Sequence, residues 1–372
     1  MRFLTLICRI LVGVLFIFSG LIKANDPLGF SYKLDEYFTV FGTEFMIPLS
    51  LTLAIFICAY EIIFGFMLLI GSRAKFTVWA LFLMIIFFTF LTFYSAYYDK
   101  VRECGCFGDF LHMTPWQSFS KDIALLVLIL VLFAGLKNIR SLFDKKIEKA
   151  LIALSIIFSI GFPLYTFNYL PVKDFRPYAI GKNIQEGMVL LPNAIKDSIQ
   201  MVFVYEKNGE KVELTPEQIK TIDGSYKYVD RLDKVIRKGD VPAIHDFSIV
   251  TPEGDDFTEQ ILNYSGYYFF IVCYDLSKTN KKVFQKISDF SNLCKADNIP
   301  IIVLTASSDQ IESFKSETGL TIPFYLTDQI TLKTMVRSNP GLMLLQAGTV
   351  VNMWHHNSFP SYNEVKKSYF NN

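Results

Sequence analysis

Five long apolar stretches in the first 170 residues constrain the fold of this chain most strongly. They cover residues 3–22, 46–70, 75–97, 121–137 and 149–170. A helix needs roughly 17–25 mostly apolar residues to cross the hydrocarbon core of a bilayer, and each stretch is long enough. Polar residues are concentrated after residue 171. We therefore predict a multi-domain chain, with an α-helical membrane bundle followed by an α/β domain.

The first apolar stretch has the position of a secretory signal peptide. We expect it instead to remain as a membrane anchor, because Arg9 lies inside it. The run 18–23 also lacks the small-x-small pattern of a cleavage site.

The basic residues alternate between the connecting loops. Loops 71–75 and 137–149 are rich in Lys and Arg, whereas loops 23–45 and 98–120 carry few of them among acidic residues. Because short cytoplasmic loops collect positive charge, the first pair is predicted to be cytoplasmic. This predicts a five-span protein of a bacterial inner membrane, with a cytoplasmic N-terminus and a periplasmic C-terminal domain.

Two cysteines, Cys104 and Cys106, stand one residue apart in loop 98–120, on the predicted periplasmic side. A disulfide between them closes a very small ring and is expected to be strained and oxidising. Arg102 favours a thiolate and Glu103 opposes it. Three interpretations stay open: a redox-active pair, a permanent disulfide, or half of a soft-metal site with His112 as the nearest further ligand.

Glu61 lies in the middle of the second apolar stretch. A carboxylate in lipid is costly, so we expect it to face the interior of the bundle and to be paired or protonated. Arg9 and Lys23 of the first stretch are its candidate partners and the candidate residues for binding a cofactor. Two alternatives remain: Glu61 transfers protons, or it locks two helices together. Lys23 is also expected to snorkel to the membrane boundary.

The polar half begins with a connector. Segments 200–205 and 211–214 flank Asn208-Gly209 and predict a β-hairpin. A short helix is predicted at Thr215-Pro216-Glu217-Gln218. From residue 241 the pattern predicts the order β-α-β-α-β-α-β-β-α, with a short hairpin at 246–254 before it. The predicted domains are a transmembrane bundle at 1–140, a fifth transmembrane helix at 141–172, the connector at 173–240 and the α/β domain at 241–372.

The α/β domain resembles the thioredoxin-like fold on the runs Asp246-Phe247-Ser248-Ile249-Val250 and Asn339-Pro340-Gly341-Leu342. The second run is similar to the family's cis-proline strand, so the resemblance implies that Asn339 and Pro340 bind a partner peptide. The family's Cys-x-x-Cys is missing from segment 274–280. Cys273 and Cys294 are expected to be small buried hydrophobic residues.

The membrane half resembles the DoxX-like superfamily, and within it the branch of the methylamine-utilisation protein MauE. The resemblance is carried by Gly13, the run 18–23, Tyr60-Glu61, Gly71 and above all Cys104-Gly105-Cys106-Phe107-Gly108. It implies a four-helix core with quinone-linked or disulfide-forming chemistry. The combination of such a bundle with a thioredoxin-like domain resembles that of a group of Bacteroidetes membrane proteins.

Together these observations predict an integral membrane thiol–disulfide redox protein, which as an enzyme would be a quinone-linked thiol–disulfide oxidoreductase. Electrons would pass between periplasmic thiols and a membrane quinone through Cys104 and Cys106, with Glu61 handling protons. The expected partners are the lipid membrane, a periplasmic client and a membrane complex. The net charge of +1 argues against nucleic acid, and no metal is predicted. The alternative is a non-catalytic scaffold or assembly factor with a partner-binding outer domain.

Overall fold

The computed structural model describes residues 1–101, 107–111, 113–190, 194–195, 198–207, 209–237 and 239–370. The chain divides into two compact units. One unit consists of Met1–Lys182 together with Ser248–Asn372, and the other is Asn183–Phe247.

The membrane bundle is built from six helices in chain order. They are α1 (Arg2–Asn25), α2 (Pro27–Val40), α3 (Ser50–Ile70), α4 (Ala74–Tyr98), α5 (Pro115–Ala134) and α6 (Lys145–Asn168). Short 3₁₀ turns lie at Glu44–Leu49, Gly108–Phe110 and Leu136–Asn138. Within the described residues, five helices have the length and apolarity to cross a membrane: all of these except α2. The five predicted spans are therefore confirmed as helices.

Two features of the bundle differ from the prediction. The loop predicted at 23–45 contains α2, which starts because Asp26 accepts a hydrogen bond from Gly29 N and Pro27 occupies the first helical position. The fourth span begins at Pro115 rather than at residue 121, because Thr114 and Gln117 form a capping box ahead of the apolar run. This earlier start brings Lys121 and Asp122 inside the helix.

The bundle core is apolar and continuous across four helices. Cys8, Val12 and Phe16 of α1 pack with side chains of α3, α4 and α5. A second apolar cluster joins α1, α2 and α3 around Ala24, Leu34 and Cys58. Burial of these side chains is the main source of packing contacts between the helices.

The unit Asn183–Phe247 contains a three-stranded antiparallel sheet. Its strands are β1 (Ser198–Lys207), β2 (Glu210–Leu214) and β3 (Lys227–Arg237), in the order β2-β1-β3. Short helices lie at α7 (Ile184–Gly187) and α8 (Pro216–Ile219). The predicted hairpin and the predicted short helix are confirmed, although Asn208 of the turn lies outside the described residues. The third strand was not predicted.

The C-terminal domain has the predicted order of elements after an additional short helix, α9 (Thr258–Leu262), that was not predicted. The predicted elements are β4 (Tyr267–Cys273), α10 (Phe284–Ala296), β5 (Ile301–Thr305), α11 (Ile311–Thr318), β6 (Phe324–Leu326), α12 (Gln329–Met335), β7 (Gly341–Gln346), β8 (Thr349–His355) and α13 (Tyr362–Val365). A π-helical turn, Lys366–Phe370, follows. The hairpin predicted at 246–254 is reduced to isolated bridges of Val250 with Asp256 and Leu326.

The five strands of this domain form one mixed sheet in the order β6-β5-β4-β7-β8. β4 runs parallel to β5 and antiparallel to β7, and β7 and β8 form an antiparallel hairpin. A parallel β-α-β unit, a terminal β-hairpin with a helix, and a cis bond at Asn339-Pro340 before β7 together make the thioredoxin arrangement. The predicted fold class is confirmed.

The thioredoxin-like domain and the bundle belong to the same compact unit and touch directly. The contacts occur at the end of the bundle where α1 ends and α2 begins. Asp109, which follows the two cysteines in loop 98–120, lies there as well, 3.6 Å from Arg337 of the domain. The loop and the domain are therefore at the same end of the bundle, as predicted from the charge pattern.

Candidate redox site

A buried arginine joins the thioredoxin-like domain to the bundle. Arg337 lies between α12 and β7, two residues before Asn339, and its side chain is 8% exposed. Its Nε donates to both carboxylate oxygens of Asp26, at 3.0 and 2.8 Å. Its NH2 group lies 3.6 Å from Asp109 Oδ2. One guanidinium thus contacts the start of α2 and the loop that carries the cysteines, in a geometry suited to a planar, multidentate donor.

The electrostatics of this contact favour the charged forms. Burial alone would raise the pKa of Asp26, but the guanidinium groups of Arg337 and Arg176 and a hydrogen bond from Gly29 hold it below its ordinary value. Burial would lower the pKa of Arg337, yet the carboxylates of Asp26 and Asp109 raise it above the usual range. Each group therefore stabilises the ionised form of the other.

Aromatic and polar contacts surround this ion pair. The Tyr32 ring of α2 lies 4.7 Å from Lys333 Nζ and 5.6 Å from the Arg337 guanidinium, distances at which a cation interacts with an aromatic ring. Burial, followed by the neighbouring Tyr274, raises the pKa of Tyr32 far above its ordinary value. Tyr274 begins the segment in which the thioredoxin family carries its cysteines. That segment therefore lies close to α2 of the bundle.

Two further hydrogen-bonded groups continue the contact. Arg176, which follows α6, forms an ion pair with Asp174 at 2.7 Å and donates to Thr334 O of α12 at 3.1 Å. Asn25, the last residue of α1, donates to Lys173 O at 2.7 Å and accepts from Lys173 N at 3.1 Å. The segment that follows α6 is thus hydrogen-bonded to the bundle through Asn25 and to the thioredoxin-like domain through Thr334.

The predicted cis-proline is present at Asn339-Pro340. Asn339 donates to Asp275 O at 2.8 Å, and its side-chain oxygen accepts from Thr279 Oγ1 at 2.9 Å. Its backbone carbonyl accepts from Asn280 N at 3.0 Å. The cis-proline loop is therefore tied to the cysteine-free segment 274–280. Both Asn339 and Pro340 are buried, so a peptide has little direct access to them in this arrangement.

Within the bundle, Lys23 and Glu61 form a fully buried ion pair. Lys23 Nζ lies 2.5 Å from Glu61 Oε1, and each side chain is 2% exposed. The ammonium also lies 4.5 Å from the centre of the Phe88 ring and 5.2 Å from that of Phe30. The second oxygen, Glu61 Oε2, has no hydrogen-bond partner among the described residues.

A glycine on α1 makes this contact possible. A Cβ added at Gly20 would lie 2.7 Å from Ile62 Cγ1 and 3.1 Å from Glu61 Cβ. Only glycine lets the two helices approach this closely at that turn. The short separation allows Lys23, three residues later on α1, to reach Glu61 directly.

Arg9 is not the partner of Glu61. Its guanidinium donates to Leu68 O at 2.8 Å and to Leu69 O at 2.6 Å, at the end of α3. Fourteen residues of α-helix separate Arg9 from Lys23, which is about 21 Å. The two residues therefore lie far apart along α1, and their binding of a cofactor stays a prediction. The expectation that Lys23 snorkels is wrong, because its ammonium is neutralised inside the bundle.

Cys104 and Cys106 lie outside the described residues, as do Arg102, Glu103 and His112. The segment that follows them, Phe107–Phe110, is described. The ring of Phe18 on α1 lies 5.8 Å from Phe107 and 5.4 Å from Phe110, and Phe110 lies 5.1 Å from Phe175. Together with the Asp109–Arg337 contact, these rings hold the segment between the bundle and the chain that leads to the domain.

The four cysteines within the described residues are free and buried: Cys8, Cys58, Cys273 and Cys294. Burial raises the pKa of Cys273 well beyond its ordinary range, and burial with the nearby Asp297 raises that of Cys294 to about 12. A thiol must ionise to act as a nucleophile, so these two are chemically inert at neutral pH. The prediction that Cys273 and Cys294 serve as small hydrophobic residues is confirmed.

The part of the chain that the structure describes holds no group of three or more His, Cys, Asp or Glu side chains arranged around a metal ion. The metal interpretation depends on Cys104, Cys106 and His112, which lie outside that part.

The sequence analysis missed three residues of this region. Asp26 and Arg337 were not paired, since 311 residues separate them. Asp122, fully buried on α5, was placed at the edge of a span that was predicted to begin at residue 121. The capping box at Thr114 could have revealed the earlier start of that helix, whereas nothing local indicated the Asp26–Arg337 pair.

Comparisons with known proteins agree with this architecture. Residues 1–135 match the family model for methylamine utilisation protein MauE. The membrane bundle is therefore similar to MauE. Residues 199–238 match a family described only as a domain of unknown function.

Two individual proteins are similar to this chain. A protein named TlpB from Flavobacterium psychrophilum is 22% identical over 387 residues, which cover 98% of this chain and 92% of that protein. A solution structure from Bacteroides thetaiotaomicron, assigned provisionally as a protein disulfide isomerase, is 16% identical. It covers 33% of this chain and 82% of its own, with a TM-score of 0.28.

Proposed function

We propose that this membrane protein is a thiol–disulfide redox protein whose reactive pair is Cys104 and Cys106. The observation that carries the proposal is the contact of Arg337 with Asp109 at 3.6 Å. It ties the segment directly after the cysteines to the cis-proline loop of a thioredoxin-like domain. That fold is used widely for thiol exchange, and this domain has no cysteine of its own in segment 274–280.

The chemistry is an exchange followed by a reoxidation. A client dithiol attacks the Cys104–Cys106 disulfide, so that the client leaves as a disulfide and the pair becomes two thiols. Restoring the disulfide removes two electrons and two protons from the pair. In our proposal a membrane quinone would supply the oxidising equivalents for this step: it would accept the two electrons and, with two protons, would become a quinol. The basic loops at the opposite end of the bundle support a periplasmic position for the pair.

The buried Lys23–Glu61 pair does not fit the ring of that quinone. The cavity beside it measures ≈ 20 Å³, whereas pockets for drug-sized ligands measure roughly 300–1,000 Å³. Lys23 was predicted to bind a quinone, and the cavity beside it is too small for the ring. In our proposal Glu61 therefore acts on protons and does not touch the acceptor.

The thioredoxin-like domain positions the reactive loop and presents the client to it. Arg337 and Tyr274, which flank the surface beside Asn339 and Pro340, contact the bundle. A periplasmic client would approach at the rim of this contact and meet the cysteine loop there. Association with further membrane proteins is compatible with the exposed aromatic side chains on α4, such as Phe90 and Phe93.

A second candidate function is a non-catalytic scaffold. It is favoured by the absence of a reactive thiol in the described part of the domain, where Cys273 and Cys294 are buried with raised pKa values. In that case the Cys104–Cys106 disulfide is a permanent local link, and the outer domain binds an assembly partner.

Thiol trapping in native membranes separates the two functions. Free thiols are alkylated with a mass tag before and after reduction, in the wild type and in Cys104→Ser. The redox function predicts a pair that changes state with growth conditions, and a mixed disulfide on Cys106 in the variant. Cys273→Ser and Cys294→Ser serve as matched controls: each removes at most the tag of the substituted thiol and should leave the redox-dependent tags unchanged. A pair that stays fully oxidised under every condition would establish the scaffold instead.

Topology is tested separately. Single cysteines introduced at exposed positions of the thioredoxin-like domain, such as Lys281, should react with an impermeant reagent in intact spheroplasts. Cysteines at Lys146, in the predicted cytoplasmic loop, should react only after lysis. The reverse pattern would invert the proposed orientation.

A further inference from the structure

A small cavity lined by both apolar and polar side chains lies inside the bundle. It measures ≈ 20 Å³, and its lining residues come from α1, α3, α4, α5 and the segment before α5. Phe107, the residue after Cys106 in the sequence, forms part of its wall. The polar side chains that line it are Ser19, Lys23, Glu61, Lys121 and Asp122.

Two buried carboxylates border this cavity, and each has an oxygen with spare hydrogen-bonding capacity. Glu61 is 1% exposed and Asp122 is fully buried. Glu61 Oε2 and Asp122 Oδ1 have no hydrogen-bond partner among the described residues. Asp122 Oδ1 does lie 2.8 Å from Lys121 Nζ, but without the angle of a hydrogen bond. Asp122 Oδ2 accepts from Thr92 Oγ1 at 3.0 Å.

The size and chemistry of the cavity identify its occupant. A buried water requires about 10–15 Å³ and two to four polar partners. The cavity meets both conditions for one water, with carboxylate oxygens as acceptors and ammonium groups as donors. A quinone ring or a client side chain is too large for it.

We propose that Glu61 and Asp122, joined by one buried water, form a relay that carries protons away from the thiol pair as the pair is oxidised. This inference rests on the proposed redox function. Oxidation of Cys104 and Cys106 releases two electrons to the acceptor and two protons. One proton goes to Glu61, and the other passes through the water to Asp122.

The relay explains why two acids and two cations are kept inside a membrane bundle. A purely structural pair would be closed on itself, with both oxygens of each carboxylate bonded. Here one oxygen on each acid makes no hydrogen bond among the described residues, and Phe107 lines the cavity together with both acids. Titratable groups reach the cavity from α1, α3 and α5, while α4 contributes only Thr92 as a hydrogen-bond donor to Asp122.

Infrared difference spectroscopy on the full-length protein tests the relay without a quinone or a client. The protein is reduced with dithiothreitol and oxidised with ferricyanide, which removes electrons only. The wild type should gain a carboxylic-acid C=O band on oxidation. Asp122→Asn and Glu61→Gln should each remove part of that band. In the wild type, H₂¹⁸O should shift the O–H stretch of a single strongly bonded water.

Rates supply the second measurement. Asp122→Asn should slow reoxidation of the thiol pair in membranes roughly 10²-fold, the usual effect of losing a positioned proton acceptor. Asp122→Glu should restore most of the rate. Ser118→Ala, one turn earlier on the same helix and away from the cavity, is the matched control and should leave the rate unchanged.

The outcomes distinguish the relay from the function on which it rests. If the thiol pair cycles but neither carboxyl substitution alters the C=O band, the relay is wrong and the redox function stands. If Ser118→Ala slows reoxidation as much as Asp122→Asn, the effect is structural and the relay is also wrong. If the wild-type pair does not cycle at all, the redox function fails and the relay fails with it.

Discussion

The membrane bundle buries several charged side chains beside a cavity, whereas the thioredoxin-like domain buries two thiols in an apolar core. The bundle buries charges, with Lys23, Glu61 and Asp122 almost without exposure. The domain buries thiols, Cys273 and Cys294, in a closely packed apolar core. The charges adjoin a cavity and retain unused hydrogen-bonding capacity, whereas the thiols have neither space nor a partner that would ionise them. Burial by itself therefore does not make a group reactive or inert.

In the proposed function the bundle supplies the chemistry and the domain supplies the positioning. A thioredoxin-like domain normally supplies the thiols, and a membrane anchor normally holds it in place. Here the anchor has the polar interior and, in the sequence, the cysteines of loop 98–120, while the domain contributes Arg337 and the cis-proline loop. Four perturbations sharpen or break this division.

The largest effect is expected from removing one charge of the buried pair. Lys23→Met leaves the Glu61 carboxylate without its cation and should lower the free energy of unfolding by about 3–5 kcal/mol. Thermal unfolding in detergent measures the change. The double variant Lys23→Met with Glu61→Gln should recover much of the loss. Lys33→Met, at a partly exposed pair with Glu36, is the control. An equal loss of unfolding free energy in both lysine variants would show that the burial of Lys23 does not increase the cost of losing its charge.

A somewhat smaller effect is expected at the contact between the two regions. Arg337→Ala leaves Asp26 buried without its partner and should cost about 2–5 kcal/mol of docking free energy. Hydrogen exchange should then accelerate in α2 and in segment 274–280, with β4 still protected. Lys281→Ala, at an exposed pair with Glu317, should cost under about 1 kcal/mol. Unchanged exchange in the Arg337 variant would mean that the domain is held by other contacts.

The contact between Arg337 and Asp26 should weaken at low pH. The pKa of Asp26 is lowered from its ordinary value of 3.8 by Arg337 and Arg176, against the effect of burial. A carboxylate with a lowered pKa stabilises the docked state above its ordinary pKa and loses that effect as the pH falls through the lowered value. Docking measured by hydrogen exchange should thus be constant from pH 7 to about 5 and weaken below about 4. Asp26→Asn should abolish this dependence; a transition near pH 6 would implicate a different group.

The smallest effect is expected from the thiols of the domain. Cys294→Ala and Cys273→Ala should each cost about 1 kcal/mol of stability through lost packing. Neither should alter the redox state or the reoxidation rate of Cys104 and Cys106. A loss of redox activity in either variant would move the chemistry into the domain and reverse the comparison.

Much of the fold was predictable from local patterns. The five apolar stretches predicted the spanning helices because spanning length is set by bilayer thickness and not by tertiary contacts. The β-α order of the domain followed from short apolar runs alternating with helical stripes such as Val283, Ile287 and Phe290. The run Asn339-Pro340-Gly341 correctly predicted the cis-proline strand. Helix α2 was missed, since its apolar residues face two different neighbours and give no clear stripe.

The candidate site was only partly predictable. The intramembrane position of Glu61 required a partner, and the sequence offered both Arg9 and Lys23 on the same helix. The choice between them depends on the register of α1 against α3, which the close approach at Gly20 sets. Asp122 was hidden by an error in one helix boundary.

The sequence by itself determined the membrane bundle, the thioredoxin-like order of strands and helices, and the absence of cysteines from segment 274–280. These follow from hydropathy, periodicity and residue identity, all of which act locally along the chain. Only the tertiary structure decided that Lys23 neutralises Glu61, that Asp122 shares a cavity with it, and that Arg337 binds Asp26 and Asp109. Those contacts join residues up to 311 positions apart, and long-range pairing of charges is fixed by packing and burial, which no local pattern encodes.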